Sequence, residues 1–245
     1  MCCGSSASGR PQLRTISALR CFARLAPPNP FLPPEHYGKP IVGMLLVWAG
    51  DPASGQKAIA PLRAIATPIA DVVRPVPYLF LQGIFDGGAP HGIHYYWKSH
   101  RLPRLTDEVI DAVVQRVESI TSPLSQISGW AVGGAVSRVP RDATAVGERE
   151  VGFELNIIAA WPPVNPDPLR HKTWVRDGWE ALKPHSVGVY TNFLSDEDAA
   201  FVRSAYGERL ARLTALKDRY DPGNFFRMNA NIAPSAAGAA PKSMR

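Results

Sequence analysis

The stretch Lys217-Asp218-Arg219-Tyr220-Asp221-Pro222-Gly223-Asn224-Phe225-Phe226-Arg227-Met228-Asn229-Ala230-Asn231-Ile232 restricts the fold of this chain more than any other. Ahead of it, Leu210, Leu213 and Leu216 recur at helical spacing, so an amphipathic helix from Ala205 should run into Tyr220. Pro222 disfavours helical geometry at Asp221 and stops that helix. Gly223 and Asn224 supply turn chemistry, and Phe225 and Phe226 can anchor the turn. Asn229 and Asn231 then emerge on an extended segment, where amides two residues apart point the same way. A carboxamide donates and accepts at once, which suits a mixed ring edge or a neighbouring backbone. Taken without context, the residues favour a plainer reading: a helix stop closed by a buried aromatic plug.

Charge and cysteine content narrow the function classes. The formal net charge is +6 over 245 residues. Arg10, Arg14, Arg20 and Arg24 supply four of those charges before residue 25, and Lys242 and Arg245 supply the other two, with no acid in either segment. The body from 25 to 233 is neutral, so it has no excess for a basic stripe, and nucleic-acid binding is not expected. Cys2, Cys3 and Cys21 precede the body and make no disulfide framework or zinc spacing, which fits a reducing, cytoplasmic setting. No apolar run is long enough to span a membrane. Residues 1 to 12 read as a disordered leader and 235 to 245 as a disordered Ala- and Ser-rich tail.

Between them the pattern alternates. Thr15 to Leu25 reads as an Arg-rich helix or an edge strand, and Ala26 to Pro34 as a proline-rich linker. Ile41 to Ala49 is a buried strand, and Asp51-Pro52 starts a helix through Ala64. Tyr95 to Ser99 is an aromatic strand, with Tyr96 and Lys98 on one face and Tyr95, Trp97 and Ser99 on the other. Thr106 caps a helix to about Ser119. Ser125 to Gly134 and Gly152 to Trp161 are strands, and Leu169 to Leu182 is a helix anchored by Trp174 and Trp179. Val187 to Leu194 is a strand with Tyr190 and Asn192 on one face, and Ser195 caps a further helix. His91, His94 and His100 lack carboxylate partners at coordinating spacing, so no metal is expected. The fold class is α+β: an antiparallel sheet covered on one side by helices, with a ferredoxin-like plan.

The order of residues around Tyr220-Asp-Pro resembles the C-terminal segment of the berberine bridge enzyme-like, FAD-linked oxidases, the group that includes 6-hydroxy-D-nicotine oxidase. Ala26-Pro-Pro with Pro-Phe-Leu-Pro-Pro, Tyr96-Trp-Lys-Ser and Val189-Tyr-Thr-Asn-Phe extend the likeness over roughly Leu13 to Pro234. It implies a substrate-binding α+β domain over 13 to 204 and a berberine-like segment over 205 to 234. It also implies hydride transfer from a small organic substrate to flavin, with a base taking a proton. Tyr190, Tyr96 and Lys98 become catalytic candidates, Asn192 a substrate contact, and Tyr206, Asn229 and Asn231 contacts to the flavin ring. Tyr96, Lys98, Tyr190 and Asn192 should share one sheet face.

Two departures matter. Arg209 and Leu210 stand where an amide and an aromatic residue are frequent in the family. The family's N-terminal FAD-binding domain, with its diphosphate loops, has no counterpart in this sequence. The chain is therefore expected to be the C-terminal part of a larger flavoprotein, inactive and poor at holding FAD by itself, with a missing FAD-domain partner or a second copy against its open face. The other function class is a non-catalytic α+β remnant that serves as an interaction or dimerisation module.

Overall fold

The computed structural model describes residues 18–146, 149–150, 152–164, 167–194, 203, 205–228 and 230–235. Strand β1 (Ala18–Leu25) is followed by β2 (Pro40–Val47), helix α1 (Pro52–Arg63), the short α2 (Tyr78–Gly83) and β3 (His94–Leu102). Helix α3 (Asp107–Glu118), β4 (Gln126–Val132), β5 (Gly152–Trp161), α4 (Pro168–Leu182) and α5 (Leu210–Tyr220) complete the order. The strands form one five-stranded sheet in the order β2-β1-β4-β5-β3, with every pairing antiparallel.

The start signals in the sequence act where they stand. Thr106 accepts from the Val109 backbone N–H at 3.4 Å and Asp51 from Ser54 at 2.8 Å, and Asp167, a cap not read from the sequence, accepts from Arg170 at 3.0 Å. Each satisfies a donor that the first helical turn leaves open. Strand β1 differs from the edge-strand expectation, because it pairs with β2 on one side and β4 on the other. Its alternation explains that interior place: Leu19, Cys21, Ala23 and Leu25 face the helices, and Arg20, Phe22 and Arg24 face away.

Helices α3 and α4 cover one sheet face. Ala23, Ile127, Leu155, Ile157, Ala159 and Leu102 form the sheet side of the core, and Val109, Val117, Trp174, Val175, Trp179 and Leu182 form the helix side. Trp174 and Trp179 are the expected anchors. Their indole N–H groups donate to the Arg116 carbonyl at 2.9 Å and the Ser99 carbonyl at 3.2 Å, so neither buried nitrogen is orphaned.

The segment expected as a strand, Val187 to Leu194, is not one. Among the described residues it makes ladder-type pairing with the sheet only at the Arg101–Gly188 bridge, then turns through one 3₁₀ turn at Thr191–Phe193. The helix expected from Ser195 lies outside the described residues, as do the leader and nearly all of the tail.

Candidate functional site

The sheet gives β3 two chemically different faces. Its even residues point at α4. Arg176 Nε donates to Tyr96 Oη at 3.1 Å, and the Arg176 and Lys172 cations lie 5.4 and 5.6 Å from the Tyr96 ring centre. The Lys98 ammonium lies 5.0 Å from the Trp179 ring, and His100 stacks on that ring at 5.1 Å. Tyr96 and Lys98 are only 4% and 7% exposed. Both belong to the packed helix side, where a lysine stem covers apolar surface and its head rests on an indole.

Tyr190 and Asn192 lie on the other side of the sheet. The Asn192 amide donates to Tyr190 Oη at 2.8 Å, the Tyr190 ring meets Phe193 edge-on, and Phe193 stacks on Trp130 at 5.4 Å. Trp130 is registered opposite Glu154, which is opposite Arg101, an odd residue of β3. The common face expected for Tyr96, Lys98, Tyr190 and Asn192 is therefore corrected: the sheet separates the first two from the last two. Side-chain period in β3 was legible, but which face the helices would take was not.

The face away from the helices carries a polar row that sequence reasoning missed. One register line across the sheet reads Leu45, Arg20, Trp130, Glu154, Arg101, and the next reads Gly43, Phe22, Ser128, Asn156, Ser99. Ser99, Arg101, Ser128, Glu154 and Asn156 are all under 10% exposed. Trp97 Nε1, Ser99 Oγ, Arg20 Nε, Asn156 Oδ1 and both Glu154 carboxylate oxygens are buried without a hydrogen-bond partner among the described residues. Buried polar atoms are nearly always paired, so several orphans on one face mark a place built for something other than packing.

Glu154 is the focus of that face. Burial pushes its carboxyl up to about 7, against the pull of the Arg101 cation, whose Nη1 is 3.9 Å away. The Tyr190 backbone N–H and the Ser99 hydroxyl approach it and pull the same way as Arg101. Desolvation wins because the ion pair is long and the Arg101 guanidinium is shared with the Glu150 carbonyl at 2.8 Å. An acid alone between Phe153 and Leu155 in an apolar strand was the available signal for this residue.

The C-terminal segment is braced by Asp221, which accepts from the backbone N–H groups of Phe225 at 2.8 Å and Phe226 at 3.0 Å and pairs with Lys217. Phe225 and Phe226 do not plug a core as expected; they are 79% and 76% exposed. Their N–H groups are tied inward, which turns the rings out. Tyr206 Oη contacts the Ala230 carbonyl at 3.5 Å, and Asn231 Oδ1 is buried without a partner among the described residues. Asn229 lies outside the described residues. Among the described residues no group of His, Cys, Asp and Glu is arranged to hold a metal ion, and no helix is long and apolar enough to cross a membrane.

Comparison with known proteins places this geometry. Residues 189–233 match the family described as berberine and berberine like. A FAD-linked oxidoreductase of Dictyostelium discoideum is 26% identical over 195 residues, 79% of this chain and 42% of that protein. Among solved structures, 6-hydroxy-D-nicotine oxidase from Arthrobacter nicotinovorans superposes with a TM-score of 0.73 at 18% identity, over 93% of this chain and 52% of that one. A berberine bridge enzyme variant superposes with a TM-score of 0.72 at 14% identity, over 95% and 53%. The chain spans less than half the length of the Dictyostelium relative and about half of each solved structure. Residues 189–233 are thus similar to the berberine-like family, and the chain carrying them shares its fold with about half of 6-hydroxy-D-nicotine oxidase and of berberine bridge enzyme.

Proposed function

We propose that this chain is the substrate-binding part of a FAD-dependent oxidoreductase, and that substrate sits on the sheet face away from the helices, beside Glu154. The cluster of buried polar atoms on that face carries the reading: among the described residues Trp97 Nε1 and Arg20 Nε lack acceptors and Asn156 Oδ1 lacks a donor, while Glu154 has only the loose approach of the Tyr190 N–H, the Ser99 hydroxyl and Arg101. A hydroxyl- or amine-bearing molecule supplies both kinds of partner at once. The relatives are FAD-linked oxidoreductases, which supports the cofactor.

The residues present fit one end of that cofactor. Asn231 Oδ1 needs a donor, and exposed Phe225 and Phe226 offer flat apolar surface, as a wall beside a fused ring would. The described residues do not fit the diphosphate. Gly87 and Gly88 lie in an exposed turn that leads to a strand, with no helix N-terminus to gather N–H groups. When bound, the flavin ring supplies the acceptor for two electrons and a hydrogen.

This chain's own groups do the rest. Glu154, with a carboxyl near neutrality, accepts the proton of the substrate hydroxyl or amine and is mostly ionised for that task at pH 8. Arg101 steadies the carboxylate from 3.9 Å. Asn192 fixes the Tyr190 hydroxyl through its 2.8 Å bond, so that hydroxyl can orient substrate. Trp130, Phe193 and the Tyr190 ring exclude water from that side. Tyr96 and Lys98 hold α4 against the sheet behind this face.

The test uses the chain itself with riboflavin, which has the ring and lacks the diphosphate, and with FAD. Amide and indole resonances should shift for Trp97, Trp130, Tyr190 and Asn231, with similar weak affinity for both ligands. Shifts confined to the helix side, or none at millimolar riboflavin, would remove the proposal.

A further inference from the structure

We propose that Arg20 is the specificity-determining residue of this face and takes the carboxylate of an acidic organic substrate. The inference rests on the reading above that this face holds substrate. Arg20 is set apart from the paired arginines of the chain. Arg63, Arg101, Arg116 and Arg141 each face a carboxylate, on Asp71, Glu154, Asp177 and Glu150. Arg20 has no acidic partner among the described residues. Among the described residues its one hydrogen bond is a long one, from Nη2 to Ser128 Oγ at 3.4 Å, and its Nε is buried without an acceptor.

What holds Arg20 is aromatic. The guanidinium carbon lies 4.2 Å from the Phe85 ring centre and 4.7 Å from that of Trp130. Such stacking satisfies the faces of the cation and leaves its in-plane N–H donors to be satisfied from the edge. Five donors with one weak acceptor are a poor end state for a group pulled halfway out of water. Burial already lowers its proton affinity. A carboxylate presents two oxygens in the geometry that a guanidinium edge accepts, and a desolvated, pre-oriented cation binds it better than a mobile lysine would.

Register supplies the spacing and the sign. Arg20, Trp130 and Glu154 occupy consecutive strands on one line, so Arg20 and Glu154 are two strand spacings apart, about 9–10 Å between backbones. Glu154 does not neutralise Arg20, because Trp130 stands between them and Arg101 is its ion partner. On the strands of this face Arg20, Arg24 and Arg101 stand against the single acid Glu154, leaving it positive. A molecule that reaches both Arg20 and Glu154 must lie over Trp130, which suits a carboxylate and a reacting hydroxyl carried on one ring.

The experiment compares D-glucuronate with D-glucose, which share the pyranose ring and differ in the carboxylate, by titration calorimetry and by resonance mapping on the whole chain. D-glucuronate should bind at least fivefold more tightly, shift the Trp130 indole, and lose its advantage between 50 and 500 mM salt. Arg20→Met should bring the two sugars within twofold while the riboflavin shifts at Tyr190 and Asn231 stay as in the parent; Arg20→Lys should retain part of the preference. Equal affinity for both sugars in the parent, or a preference that survives Arg20→Met, would overturn the assignment. So would no saturable glucuronate binding while riboflavin still maps to this face, an outcome that leaves the wider functional reading intact. Loss of the riboflavin map as well would sink both.

Discussion

Replacing Glu154 by Gln should stabilise the protein in a way that grows with pH. The carboxyl is held near 7 in the folded chain, against about 4.5 when solvated. A folded state that keeps the proton longer loses stability as pH rises from 4.5 to 7, because ionising a buried acid costs free energy that ionising a solvated one does not. Summed over that interval, the penalty is about 3 kcal/mol. Between pH 5 and pH 8.5 it grows by about 2.5 kcal/mol, since part is already present at pH 5. Glutamine keeps the shape and cannot ionise, so it removes this growth whatever fixed cost its amide brings. Urea denaturation of both proteins at the two pH values gives a difference of differences in which that fixed cost cancels. A gain that is 1.5 kcal/mol or more larger at pH 8.5 supports the argument. Equal effects at both pH values would mean that Glu154 is ionised and satisfied in the folded chain, and its role as proton acceptor would fall with that.

His100 gives the opposite pH signature. Burial pushes its ring down to about 4, and its Nε2 lies 2.8 Å from the Trp179 carbonyl, a contact that needs the N–H. A depressed histidine destabilises as pH falls from 6.5 through 4, so His100→Gln should lower the midpoint of acid unfolding; an unchanged acid limb by circular dichroism would count against a buried neutral ring. Gly152→Ala should cost about 1–3 kcal/mol in chemical denaturation, because a Cβ there would press far inside contact distance on the Leu102 carbonyl, which belongs to the backbone of the neighbouring strand and cannot rotate away. A loss below 0.5 kcal/mol would show that β3 and β5 can part at that end.

Most of the elements and their punctuation were legible in the amino-acid sequence. Thr106, Asp51 and Pro222 act locally, through the nearest backbone groups, so their effect is readable without the fold. Strand β5 could be placed from Gly152 to Trp161 because its apolar run is long and bounded, and α4 because its tryptophans fall on one side. The order of residues around Tyr220-Asp-Pro carried the likeness to FAD-linked oxidases, since that order records descent as well as local physics. Only the tertiary structure decided which side of each strand meets the helices. Alternation in β3 separates Tyr96 and Lys98 from Trp97 and Ser99, and it is silent about which set is covered. The covered set proved to be the pair with a phenol and an amine, stacked beneath Trp179 and Arg176. That assignment moves the proposed site to Glu154, Asn156, Ser99 and Arg20, residues from three strands separated by up to 136 positions along the chain. Their shared burial, the raised Glu154 carboxyl and the unpaired Arg20 edge arise from strand register across the sheet, a long-range property that no local pattern in β1 or β5 encodes.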